Sequence, residues 1–222
     1  MLTFFKDYKK FAIVFVIISI IIIALIFNTL NVYKPLPIYQ PAMVSEELVD
    51  STIQYQKKYH KVGTFSLINQ NGKTITQDDY KNKIYIADFF FTTCKTICPI
   101  MTNHMAKIQE KIINDNDVML LSHSVTPEID SVAQLKQYAI EKGVIDKKWN
   151  LVTGDKKQIY DLARKSYLAV KDNPYSGEFD MIHTENFMLI DKKKQIRGFY
   201  DGTNPEEMDR LIDDMATLKK EE

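Results

Sequence analysis

The sequence predicts an α/β sandwich built around a mixed central sheet, carried behind one N-terminal membrane-spanning helix. Three observations predict it. Ile84–Phe91 (IYIADFFF) is a nearly unbroken apolar and aromatic run, as a strand buried on both faces requires. Strand-like and helix-like segments then alternate, and the chain closes with paired strands and an amphipathic helix. Finally, Phe11–Phe27 is a stretch of 17 uncharged positions interrupted only by Ser19.

That first stretch makes a helix roughly 25 Å long. Leu30 and Val32 extend its apolar reach toward the ~30 Å hydrocarbon core. Lys6, Lys9 and Lys10 precede it, so the positive-inside rule keeps residues 1–10 in the cytoplasm, makes 11–30 the anchor and sends the rest outside. A cleaved signal peptide is the competing reading. Its apolar region is normally about 7–15 residues and ends in small residues before the cut. Here the run leads into Asn28-Thr29-Leu30-Asn31, with no A-x-A-like site. The expectation is a single-pass protein of the inner (cytoplasmic) membrane whose working domain lies in the oxidising periplasmic space. Residues 31–60, with Pro35, Pro37 and Pro41, read as an extended tether. Residues 61–222 are the compact domain, long enough to bury roughly two-thirds of their unfolded surface.

Within it, Phe65–Asn69 reads as a short strand leading into an Asn71-Gly72 turn. After Ile84–Phe91 comes a helix behind Pro99, with Ile100, Met101, Ala106, Ile108, Ile112 and Ile113 as its apolar pattern. Val118–Val125 is a second buried strand. Pro127 is expected to open a helix with Ile129, Val132, Leu135, Tyr138 and Ala139 on one stripe. Trp149–Thr153 is another strand, and Ile159, Leu162, Ala163 and Tyr167 mark the next helix. Phe187–Ile190 and Gln195–Tyr200 pair around Asp191–Lys194. The last helix has Asn204 as N-cap, Pro205 at its first position, acids at its start and Lys219 and Lys220 at its end.

Composition excludes several functions. Twenty-nine basic against 29 acidic residues leave no net charge, so nothing favours nucleic acid. Neither G-x-G-x-x-G nor G-x-x-x-x-G-K-[ST] occurs, so the usual phosphate-cradling loops are missing. Two cysteines in 222 residues make no disulfide-rich scaffold.

Both cysteines fall in Phe91-Thr92-Thr93-Cys94-Lys95-Thr96-Ile97-Cys98-Pro99, a strand-to-helix turn. That is the sheet edge where open α/β proteins hold ligands. As a structural staple, closing five residues stabilises by only about 2 kcal/mol, against about 4.7 for a 100-residue loop. Reactivity is the better use. Lys95 and a helix N-terminus at Pro99 both favour thiolate. Two thiolates serve either metal binding or thiol–disulfide exchange. Soft thiolates select Cu(I), zinc or iron–sulfur sites, and a closed zinc site wants four ligands, of which this pair is half. Among the histidines, His60 is expected in a solvated position at the domain edge. His104 lies six residues beyond Cys98, on the wrong helical face. His123 ends the second buried strand, as ligand or satisfied core residue. His183 lies in Asp180-Met181-Ile182-His183-Thr184, a loop just before a strand. Spacing leaves both His123 and His183 open. Met101 offers a thioether or, more simply, a helix core contact.

Phe90-Phe91-Thr92-Thr93-Cys94-x-x-x-Cys98-Pro99, then Ser124-Val125-Thr126-Pro127-Glu128-x-Asp130, then His183-Thr184 before Phe187-Met188-Leu189-Ile190-Asp191 resemble the SCO/SenC family over roughly residues 60–215. The resemblance implies a thioredoxin-like fold and a copper metallochaperone for the dinuclear copper site of cytochrome c oxidase. It also implies that Cys94, Cys98 and His183 are the ligands for Cu(I) or Cu(II), and that Cys94 and Cys98 form a disulfide when oxidised. The expected partner is the copper-accepting subunit of the oxidase or another copper protein. Three positions depart from the family pattern. Thr126 replaces the Asp before the proline, Ile182 replaces the Asp before the histidine, and Lys95-Thr96 replaces Pro-Asp between the cysteines. These bear on partner docking and on what orients the histidine, and leave the ligands intact.

The alternative is an extracytoplasmic thiol–disulfide oxidoreductase with Cys94 and Cys98 as catalytic residues, for instance one reducing the oxidase's copper-site cysteines. Such exchangers favour C-x-x-C and a cis-proline before the strand facing the pair. Here the cysteines are four apart and His183–Asn186 contains no proline. A copper or redox sensor would use the same residues.

Overall fold

The structure, a computed structural model, describes residues 8–30, 35–45, 48–170 and 184–221. The chain divides into two units, Met1–Pro35 and Leu36–Glu222. In the first, α1 (Lys9–Leu30) is a helix long and apolar enough to cross a membrane. Its apolar side chains, Phe11 through Ile26, are exposed.

In the second unit, residues 36–45 and 48–60 lead into the sheet. Tyr39 N–H donates to the Ile196 carbonyl (2.9 Å) and the Tyr39 ring meets Phe199 edge-on. β1 (Ser66–Asn69) and β2 (Thr74–Thr76) form the hairpin expected from Asn71-Gly72. Gly72 takes φ +73°, a conformation that glycine adopts without steric cost, and its N–H closes on the Asn69 carbonyl.

β3 (Ile84–Phe90) is the sheet's axis, with all seven side chains buried. It leads through the cysteine turn into α2 (Ile97–Lys111). β4 (Val118–Ser124), α3 (Val132–Glu141), β5 (Trp149–Thr153) and α4 (Lys156–Asp161) follow, α4 running on into a π-helical turn at Leu162–Ser166. β6 (Asn186–Ile190), β7 (Ile196–Asp201) and α5 (Pro205–Glu221) complete the unit. Among the described residues the strands make one seven-stranded sheet in the order β2-β1-β5-β4-β3-β6-β7. β3 pairs in parallel with β4, and β4 with β5, while the flanking pairs are antiparallel. The sheet is therefore mixed, as the sequence predicts.

Each face of the sheet buries its own core, as the period of two dictates. Ile84, Ile86 and Phe90 pack with Met101, Met105 and Ile108 of α2, Leu135 of α3 and Leu211 of α5. Tyr85, Ala87 and Phe89 pack on the other face with Leu121, Val152, Ile159 and Tyr167.

Two helix starts differ from the sequence expectation. α2 begins at Ile97, before Pro99, because a proline inside the first helical turn forfeits no intrahelical N–H bond. α3 begins at Val132 rather than at Pro127, since the Ser131 side chain accepts from Gln134 N–H and caps it there (3.3 Å). Ile129 consequently lies outside the stripe and is exposed.

Candidate metal and thiol site

β3 ends at Phe90, and the Cys94 N–H reaches back to the Phe91 carbonyl (3.3 Å) to close a turn over Thr92 and Thr93. Cys98 is the second residue of α2. It is 3% exposed and packs in the core that holds Phe90, Met101 and Tyr138. Cys94 stands just outside the helix, half-buried. Both are free thiols, near enough that each alters the other's acidity.

The two sulfurs differ in acidity for physical reasons. Partial burial raises the Cys94 thiol, but hydrogen bonds from the Thr96 hydroxyl (3.5 Å), the N–H groups of Cys98 and Thr96 and the Cys98 thiol outweigh it. The result is a thiol lowered to about 7. Lys95 is exposed, and hydrogen bonding is what favours the thiolate. Burial pushes the Cys98 thiol up to about 12, against a bond from the Phe91 N–H, and the neighbouring Cys94 and Asp88 raise it further. Near neutral pH the pair therefore offers one part-ionised sulfur at the surface and one protonated sulfur beneath it.

The histidines sort clearly. His60 is buried, contrary to the solvated position expected. Its N–H donates to Gln40 Oε1 and its Nε2 bonds the Ser166 carbonyl (2.9 Å each). His104 points away from the cysteines and bonds the Gly202 carbonyl through Nδ1 (2.8 Å). His123 is a core residue. It stacks on Phe89 on the face opposite Cys98, with Nδ1 on the Asp88 carbonyl (3.2 Å). Met101 is likewise core. His183 and Ile182 lie outside the described residues. The chain resumes at Thr184, which is buried and accepts from Asn186 N–H (3.2 Å). β6 runs antiparallel to β3, with Met188 opposite Ala87, so it enters the sheet at the edge where β3 leaves for Cys94. Among the described residues no three His, Cys, Asp or Glu side chains form a metal-binding group. The described part supplies two sulfurs.

One site residue escaped the sequence reading. Asp88 lies on the face of β3 shared with Ile86, Phe90 and the Cys98 core, and is fully buried. Burial raises its carboxyl to about 7, with only the Ser122 hydroxyl bond opposing. Ser122 in turn accepts from Trp149 Nε1 (2.8 Å). An acid inside an otherwise apolar run, IYIADFFF, was the available signal.

Residues 53–220 match the SCO1/SenC family model. The chain belongs to the SCO1/SenC family. It is 36% identical over 165 residues to the SCO1 protein homolog of Bacillus subtilis, covering 72% of this chain and 85% of that one. The solved structure of BsSco, described as a member of the Sco family of cytochrome c oxidase assembly proteins with a disulfide switch, is 32% identical. It superposes with a TM-score of 0.61 over 72% of this chain and 94% of its own. Arabidopsis thaliana ScoI, solved with copper bound, is 28% identical, with a TM-score of 0.55 over 69% and 97%. These neighbours establish the thioredoxin-like sandwich for residues of the second unit.

Proposed function

We propose that this SCO1/SenC protein is a membrane-anchored metallochaperone that carries copper, as cargo, to the dinuclear copper site of cytochrome c oxidase. Cys94, Cys98 and His183 are the ligands in this reading. The observation that carries it is the pair of free cysteines held together in the turn at the end of β3, each altering the other's acidity. Two sulfurs and an imidazole form a soft donor set that suits copper and falls short of a closed four-ligand zinc site. A copper-bound relative at 28% identity and the oxidase-assembly description of BsSco support the cargo and the destination.

The chain's own residues divide the work. Cys94 presents a thiolate at the surface, where incoming metal and acceptor meet it first. Cys98 gives up its proton only when metal compensates the buried charge, which ties its deprotonation to loading. His183 is the residue before Thr184, and from Thr184 the chain enters β6 at the cysteine end of β3. Release follows by ligand exchange from the accessible Cys94 side. α1 keeps the site at the membrane, with Lys9 and Lys10 on the inner side.

A thiol–disulfide exchanger is the second reading, favoured by the lowered Cys94 thiol beside a protonated Cys98. In that reaction the two thiols lose two protons and two electrons to a partner disulfide as the Cys94–Cys98 bond forms. Titrating the reduced full chain in detergent with Cu(I) against a chelator separates the readings. The carrier binds one equivalent, weakened sharply by Cys94→Ser, Cys98→Ser or His183→Ala. Turnover of protein disulfides with no copper binding identifies the exchanger instead.

A further inference from the structure

We infer that Asp130 is the positioning residue of the site, a buried carboxylate that fixes the Cys94 turn through Thr92. The inference rests on the reading of Cys94 as a metal-binding or exchanging sulfur. Asp130 is 0% exposed. Four donors converge on it. Thr92 Oγ1 donates to Oδ1 (2.5 Å), while Thr92 N–H (3.3 Å), Ser124 Oγ (2.6 Å) and Thr126 Oγ1 (3.0 Å) donate to Oδ2. Both of its oxygens are engaged, Oδ2 by three donors and Oδ1 by one.

The polarity of the network is set by that convergence of donors. Because Thr92 spends its hydroxyl hydrogen on Asp130, its oxygen is left to accept from Gln134 Nε2 (3.3 Å). Ser124 does the same and accepts from Thr126 N–H (3.2 Å). Four donors on one buried carboxyl leave these hydroxyls a single hydrogen-bonding orientation. Asp130 thus binds together the end of β3, the end of β4 and the turn before α3. Thr126, where the family pattern has an acid, acts here as a hydroxyl donor to Asp130.

The consequence for the sulfurs is geometric. Thr92 is gripped at both its N–H and its hydroxyl. It follows Phe91, whose carbonyl receives the Cys94 N–H and whose own N–H bonds the Cys98 sulfur. Fixing Thr92 fixes the turn that places Cys94 against Thr96 and Cys98. Asp130 touches neither sulfur and acts only through that turn.

Three variants of the full chain test this: Asp130→Asn, which keeps the volume but puts an amide donor among donors, Thr92→Val, and Thr92→Ser, which keeps the hydroxyl. Two readouts are taken, the alkylation rate of Cys94 in the metal-free reduced protein near neutral pH and the Cu(I) affinity. With the turn released, Cys94 no longer keeps its place beside Thr96, so Asp130→Asn and Thr92→Val change its alkylation rate by about threefold or more. They weaken Cu(I) binding by about 10- to 100-fold, and Thr92→Ser retains both properties. An alkylation rate unchanged in folded Asp130→Asn and Thr92→Val overturns the positioning role. Should Asp130→Asn fail to fold, Thr92→Val decides alone. A wild-type chain that binds no Cu(I), yet whose alkylation rate still changes in the variants, overturns the copper reading and upholds the positioning role.

Discussion

Asp88 and His123 sit on adjacent central strands and each keeps one polar atom without a partner, Oδ1 and Nε2. Burial drives both toward the neutral form, which gives them opposite effects on stability. Burial raises the Asp88 carboxyl from 3.8 to about 7. Between those values the folded chain holds a proton that the unfolded chain has lost, so stability falls as pH rises. Burial lowers the His123 ring from 6.5 to about 4, despite its bond to the Asp88 carbonyl. Between those values the unfolded chain holds the extra proton, so stability rises with pH. In wild type the two slopes oppose. Relative to wild type, metal-free Asp88→Asn should match it near pH 4 and become more stable by on the order of 4 kcal/mol above pH 7. His123→Phe should gain stability relative to wild type only as pH falls from 6.5 to 4. Urea unfolding across this range is the check, and a pH-independent difference for either variant contradicts the burial argument.

Among the elements, the segment entering β6 is held by close backbone approach. Gly202 N–H donates to the Glu185 carbonyl (2.7 Å), and its own carbonyl receives His104 of α2. A Cβ there would lie 2.9 Å from the Glu185 oxygen and 2.7 Å from the Phe187 ring. Gly202→Ala should therefore cost about 1–3 kcal/mol by overpacking. It should also lower Cu(I) affinity, because it disturbs the segment next to His183. Unchanged affinity with lowered stability would detach that segment from the site. Ser131→Ala, which removes the α3 cap, should cost about 1 kcal/mol, read by thermal unfolding, without touching affinity. These elements also show what the sequence could tell. β3, β4 and the closing hairpin were legible because unbroken apolar runs mark buried strands, and the cysteine turn because it falls where such a run stops. The α3 start was masked by Pro127, although Ser131-x-x-Gln134 carried the competing cap. His60 was misread for a different reason. Its burial depends on Gln40 and on Ser166, 106 residues away, which no local pattern encodes.

Across the whole second unit, Arg197 ties both ends of the fold together. It pairs with Asp191 (3.2 Å) and Glu221 and donates to the carbonyls of Leu36 (2.7 Å) and Pro37 (3.0 Å), while Leu36 N–H returns to Glu221 (2.7 Å). This cluster lies at the end of β6 and start of β7, the sheet edge away from the cysteines. Replacing Arg197 by Met leaves the buried Asp191 and the part-buried Glu221 carboxylates without their cation and should cost about 3–5 kcal/mol. Protease should then reach residues 36–45 sooner, while Cu(I) affinity stays within about twofold, since distant sites act independently. Resistance equal to wild type contradicts the clamp.

The central claim is the donor set, and X-ray absorption on the Cu(I)-loaded full chain reads it directly. Two sulfur scatterers and one imidazole nitrogen are predicted, the nitrogen disappearing in His183→Ala and one sulfur in Cys94→Ser. A metal shell that keeps its imidazole in His183→Ala, or never contains one in wild type, contradicts the account.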